Sequence, residues 1–216
     1  MSHNSNSHQD IPLSEKVKSL PGFFGIHLEE QAPYDILKSD GGIEVRCYRP
    51  QTQARITVKG EFKEAQKEAF NTLAAYIFGE NKGNEKIQMT TPVLLEEKTE
   101  TKESKNKNKK KDEKNEKEWL MSFILPSQYL ISSAPNPIDK RISLHERPVH
   151  LVASVSYPGF NNEEKVEEYK TILKTWLKKR PWYIPVGDYQ SAQFDGPLTI
   201  PFFRKNEIHI EVKHLH

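Results

Sequence analysis

Ala54-Arg55-Ile56-Thr57-Val58-Lys59-Gly60-Glu61-Phe62, preceded by Arg49-Pro50, has an echo further down the chain. There Arg147-Pro148 precedes Ala153-Ser154-Val155-Ser156-Tyr157-Pro158-Gly159-Phe160. In both stretches apolar residues alternate with polar ones, the pattern of a strand with one buried face, and a glycine then breaks the run. A helical pattern follows each time. Glu61 to Ile77 carries the stripe Phe62, Ala65, Ala69, Leu73 and Tyr76, widened on one flank by Phe70, Ala74 and Ile77, with Gly79 as a stop. Asn162 to Lys179 carries Val166, Tyr169, Leu173 and Trp176, with Ile172 and Leu177 beside them. Asn161 or Asn162 can cap that helix, and Pro181 lies beyond its end.

Further strands complete the pattern. Tyr34–Leu37 and Ile43–Tyr48 flank Lys38-Ser39-Asp40-Gly41-Gly42, which supplies the positive φ angles of a tight hairpin. Ile87–Leu95 reads as a strand with Pro92 inside it, which predicts an edge position or a bulge because proline cannot donate to a ladder. Trp119–Leu125, Asp188–Phe194 and Glu207–Val212 follow. The whole is a tandem repeat of strand, helix, strand, strand. One unit leaves a sheet face and a helix face bare; two units can cover each other. The expected class is α+β, one domain over residues 31–214 after a loose polar segment at 1–30, in which Leu13–Leu20 could form a short helix and Pro21–Gly25 an aromatic turn.

Residues 96–118 are almost entirely Lys, Glu, Asn and Asp. Such a segment buries too little apolar surface to offset its chain entropy, so it reads as a disordered insertion in a hairpin. Its Lys105–Lys111 run is interleaved with acids in the wider segment and carries no aromatic, which favours a solvated loop over a nucleic-acid contact. Lys and Arg total 32 against 30 Asp and Glu, a net charge of +2 that leaves no strong basic field for nucleic acid. No stretch approaches the roughly 18 to 20 apolar residues of a membrane span. The start of the chain lacks a secretory signal pattern. One cysteine, Cys47, excludes an intramolecular disulfide and any zinc site needing two thiolates. A cytoplasmic location is the resulting expectation.

Several blocks, in order, resemble the SOUL heme-binding family: Tyr34-Asp35-Ile36-Leu37, Ile43–Pro50, Tyr76–Asn81, Ile87–Val93, Phe123-Ile124-Leu125-Pro126-Ser127 and Pro197–Ile208. The resemblance runs from about Tyr34 to Val212. It implies a distorted antiparallel β-barrel flanked by two helices, with internal pseudo-twofold symmetry. It also implies a hydrophobic groove beside the first helix that accepts heme or another porphyrin reversibly and without a covalent bond. The candidates for that groove are Phe70, Leu73, Ala74 and Ile77, with Lys67 toward a propionate; Leu73 and Tyr76 equally suit a core, and Lys67 a solvated face. Some family members carry a histidine, proposed as axial ligand, where this chain has Cys47. Cys47 is thus the candidate ligand for iron, with Arg46 beside it to favour the thiolate; a strand cysteine also serves as a small buried hydrophobe.

Three other features bear on function. The fold implied also resembles bacterial regulator domains in which a buried glutamate meets a cationic drug. Glu207 would serve so if it points inward unpaired, and is structural if it pairs with Arg204 or another base. His145 and His150, odd and even in number, should face opposite sides of a regular strand and so share no metal. No nucleophile elbow, phosphate loop, zinc-protease helix or covalent heme motif is present. The expected function is non-enzymatic tetrapyrrole binding; the alternative is a protein-interaction or small-molecule sensor module that does not use heme.

Overall fold

The structure is a computed structural model that describes residues 30–98, 117–194 and 205–215. The expectations for the N-terminal helix, the aromatic turn and Arg204 fall outside them. In chain order the strands are β1 (Glu30–Gln31), β2 (Tyr34–Asp40), β3 (Ile43–Tyr48) and β4 (Gln51–Lys59). Helix α1 (Phe62–Ile77) is followed by β5 (Thr90–Thr91), β6 (Val93–Lys98), β7 (Glu118–Ile124), β8 (Ser143–Arg147) and β9 (His150–Pro158). Helix α2 (Glu163–Lys178), β10 (Tyr183–Gln193) and β11 (Lys205–His214) complete the chain. No helix among the described residues is long and apolar enough to cross a membrane.

Nine strands form one sheet in the order β2-β3-β9-β11-β10-β6-β7-β4-β8, and every pairing in it is antiparallel. The expected barrel is not closed: β2 and β8 are the two edges of the sheet. The sheet nevertheless curls. β3 and β7 stand five places apart in the order, about 24 Å on a flat sheet. Yet Tyr48 of β3 and Ile124 of β7 belong to one apolar cluster with Leu94, Val152 and Ala192.

Both helices lie on the convex face. The α1 stripe read from the sequence is buried in full: Phe62, Ala65, Ala69, Leu73 and Tyr76 pack with Ile56, Met121 and Phe123 of β4 and β7. α2 covers β3, β9 and β11 with Val166, Leu173, Trp176 and Leu177. Asn162 is its cap, the side chain accepting from Lys165 N at 2.9 Å. Tyr169 is half-buried and stacks on Tyr157 with centroids 4.6 Å apart. Ile172, one residue short of the buried ridge at Leu173, is exposed.

Several boundaries differ from expectation. The β2–β3 hairpin turns at Gly41 and Gly42, with φ 58° and 83°, so its first strand runs on to Asp40. Ile87–Met89 is not strand; Ile87 N donates instead to Ile77 O. Pro92 sits in the gap between β5 and β6, which leaves β6 free to run as an interior strand between β10 and β7. The charged insertion is also shorter than its composition suggests. β6 continues through Lys98 and β7 begins at Glu118, because strand pairing extends the hairpin beyond its apolar residues.

Candidate functional site

Two regions carry the chemistry. On the outer flank of α1, Leu73, Ala74 and Ile77 are sealed in the core at 0%, 1% and 2% exposure. Phe70 is half-buried, its ring edge-on to Phe123 at 5.4 Å. Lys67 is exposed one turn earlier. Phe78, also half-buried on the same core, follows Phe70 and Ala74 along an i, i+4, i+8 ridge. Two aromatic side chains about 12 Å apart along the axis thus flank a small residue. Of the five groove residues expected here, only Phe70 and Lys67 present surface.

Cys47 is not brought to this flank. It is half-buried on the convex face of β3, opposite Leu151 of β9, on the side that α2 covers. Four strands lie between β3 and β7. Arg46 faces the other way on the strand and is engaged by Glu207.

The other region is the concave face. Its centre is a buried ion cluster. Glu207, 0% exposed, accepts from Arg46 Nη1 at 2.6 Å and Nη2 at 2.9 Å, from His209 Nε2 at 2.7 Å and from Ser156 Oγ at 3.0 Å. Lys205 Nζ lies 3.1 Å away. Burial alone would push this carboxyl up, but the His209 and Arg46 donors outweigh it and hold the group far below the usual carboxylate range. Glu207 is therefore structural, and its principal partner is Arg46, 161 residues away. A carboxylate with its acceptor sites filled has nothing left for a cationic drug.

Beside this cluster opens a cleft of about 310 Å³, floored by Leu94, Ile124 and Val152. Its polar wall comes from strand alternation: Gln51, Gln53 and Arg55 of β4 all point into it. Arg55 Nε and Nη2 donate to Gln53 Oε1 at 3.0 and 2.6 Å, and Gln53 Nε2 donates to Gln51 Oε1 at 3.2 Å. Burial, then the nearby Arg147, lowers the Arg55 pKa, so its charge is strained rather than stabilised here. The cleft's Glu96 accepts from Lys98 at 2.6 Å and Gln190 at 2.8 Å, and Glu211 from Arg147 at 2.6 Å.

Tyr48 lines the same cleft, 2% exposed, stacked on His150 with centroids 5.6 Å apart. Burial raises its pKa, so the hydroxyl keeps its proton. That hydroxyl has no hydrogen-bond partner among the described residues. An orphaned buried hydroxyl costs about 1–3 kcal/mol. His150 Nδ1 donates to Pro148 O, 2.8 Å away. Burial lowers its pKa below 6.5. His145 and His150 do not face opposite sides: His145 pairs with Gln53 and His150 with Tyr48, both concave-face residues. The two histidines belong to different strands, with Pro148-Val149 between, so the parity count does not carry across.

Sequence reading missed this cleft. Its one legible signal was Gln51-Thr52-Gln53, a polar run that is nevertheless strand and buried at 7%, 4% and 3%. Buried glutamines need partners, and partners imply a polar site.

Comparison with known proteins follows the same line. Residues 29–211 match the model of a family described as SOUL heme-binding protein. A human (Homo sapiens) protein named Heme-binding protein 2 is 24% identical over 179 residues, covering 82% of each chain. The mouse (Mus musculus) protein of that name matches to the same extent. Among solved structures, the EcmrR C-terminal domain superposes with a TM-score of 0.54 at 13% identity, covering 84% of this chain and 99% of that one. An uncharacterized conserved protein from Listeria innocua gives 0.52 at 11% identity, covering 79% and 92%. Those two likenesses concern the fold alone.

Proposed function

The chain belongs to the SOUL heme-binding protein family, and on that premise we propose that it binds heme or a related tetrapyrrole reversibly, as a non-enzymatic carrier, buffer or sensor in the cytoplasm. Family membership is the observation that carries the reading. The α1 flank supports a place for the ligand. A porphyrin needs a flat apolar surface and cations for its propionates. Phe70 and Phe78 offer two half-buried rings on one ridge, Ala74 keeps the backbone low between them, and Lys67 stands at one end. Leu73, Ala74 and Ile77 act from behind, as the core that fixes the ridge. With Cys47 on the α2 side, apolar contact and charge hold the macrocycle here, and sulfur does not ligate the iron. The strand order supports a duplicated origin: with the edge strand β2 set aside, exchanging β3 with β8, β9 with β4, β11 with β7 and β10 with β6 reverses the order of the other eight strands.

Titration with hemin and with protoporphyrin, followed by the Soret band and tryptophan quenching, tests the reading. Saturable binding below roughly 10 µM, about 7 kcal/mol, is expected for both ligands. Phe70→Ser combined with Lys67→Glu should weaken it at least tenfold. Absence of saturable binding by the unmodified chain ends the proposal.

A further inference from the structure

We propose that the concave cleft is a second ligand site, separate from the α1 flank, and that it takes a small organic oxyanion, a carboxylate or sulfonate on a compact body. The argument is a count of donors and acceptors. Every glutamate in and beside the cleft is already engaged: Glu207 by Arg46 and His209, Glu96 by Lys98 and Gln190, Glu211 by Arg147. Asp188 lines the cleft too and is engaged as well, while Glu211 Oε1 stays open among the described residues, so the preference is set by the unpaired donors of the β4 wall. Arg55 Nη1 has no partner among the described residues, and no carboxylate there lies within ion-pair distance of Arg55. Because a guanidinium can only donate, Arg55 sets the orientation of the Gln53 amide, and Gln53 in turn sets that of Gln51. The relay ends with the Gln51 amide nitrogen, which makes no hydrogen bond among the described residues.

Unpaired donors on one wall select a ligand that brings acceptors to them. Burial and Arg147 disfavour the Arg55 charge more than Glu96 favours it, and an anion hydrogen-bonded to the free Nη1 would offset that cost. The floor of Leu94, Ile124 and Val152 suits an apolar body. At about 310 Å³ the cleft lies at the lower limit of small-molecule pockets, which matches a ligand well below the size of a macrocycle.

The test uses two dyes of one shape, 1-anilinonaphthalene-8-sulfonate and the uncharged N-phenyl-1-naphthylamine, titrated into the full chain by fluorescence. The sulfonate dye should bind saturably, one per chain, and at least tenfold more tightly than the uncharged dye. Arg55→Gln should weaken the sulfonate at least tenfold and leave the uncharged dye unchanged; Arg55→Lys should restore part of the loss. Equal binding of both dyes, or sulfonate affinity unchanged in Arg55→Gln, overturns the proposal. Hemin titration of the Arg55→Gln chain separates the two sites. Unchanged hemin affinity is expected; a tenfold loss would show the macrocycle itself in the cleft and end the claim of a separate site. Loss of hemin binding in every chain, with the dye result intact, would sink the tetrapyrrole reading alone.

Discussion

Arg46→Ala is the sharpest test of how the concave face is held. The guanidinium is 2% exposed and makes two bonds to Glu207, one to Glu44 at 2.7 Å, and stacks over the Tyr34 ring at 4.5 Å. Removing it leaves a fully buried carboxylate with His209, Ser156 and Lys205 alone. Breaking one side of a buried ion pair costs about 3–5 kcal/mol, a large share of a typical domain's stability of about 5–15 kcal/mol. Replacing both partners with apolar residues, Arg46→Met with Glu207→Leu, should cost far less than the two single changes summed, because no charge is then stranded. The assay is urea unfolding at pH 7 followed by tryptophan fluorescence and circular dichroism. Acid should narrow the gap. Glu207 has a folded pKa far below its unfolded value of about 4.5. Its contribution is therefore complete above that value and is lost as pH falls toward the folded pKa. A loss under about 1 kcal/mol for Arg46→Ala at pH 7, or additivity of the two single changes, would refute the view of the pair as one unit.

Other consequences are simpler to check. Cys47→Ala should leave hemin affinity and Soret position unchanged, since Cys47 lies on β3, away from the α1 flank; a shifted Soret band would contradict that reading. Asn162→Ala should cost about 1 kcal/mol in urea unfolding through loss of the cap on Lys165 N. His150 has a folded pKa below its unfolded 6.5, so the unfolded chain takes up the proton first. Stability should then fall as pH drops below about 6.5, and His150→Gln should flatten that slope between pH 7.5 and pH 5.5.

The helices were legible almost to the residue. Glu61–Ile77 and Asn162–Lys179 were expected; Phe62–Ile77 and Glu163–Lys178 are found. Their signal is local, a repeating apolar stripe and a cap, and local periodicity survives folding unchanged. The groove was less legible. Phe70, Ala74 and Ile77 look alike as a flank of the stripe, yet Phe70 reaches the surface while Ala74 and Ile77 are sealed. Which side of a helix seals depends on what distant segments lay against it, here β7 and the loop residues Ala134 and Ile142.

By itself, the chain's order of residues determined the two amphipathic helices, the alternating strands, the hairpin turn at Gly41-Gly42 and the membership of a family, because each depends on residues close together or on blocks in a fixed order. Only the tertiary structure decided that the sheet curls without closing, that Arg46 meets Glu207 across 161 residues, and that Cys47 and Phe70 lie apart. It alone turned the polar alternation of β4 into a donor-rich wall facing a cleft. The reason is geometric: alternation says which residues share a face, while strand order and curvature decide what that face encloses.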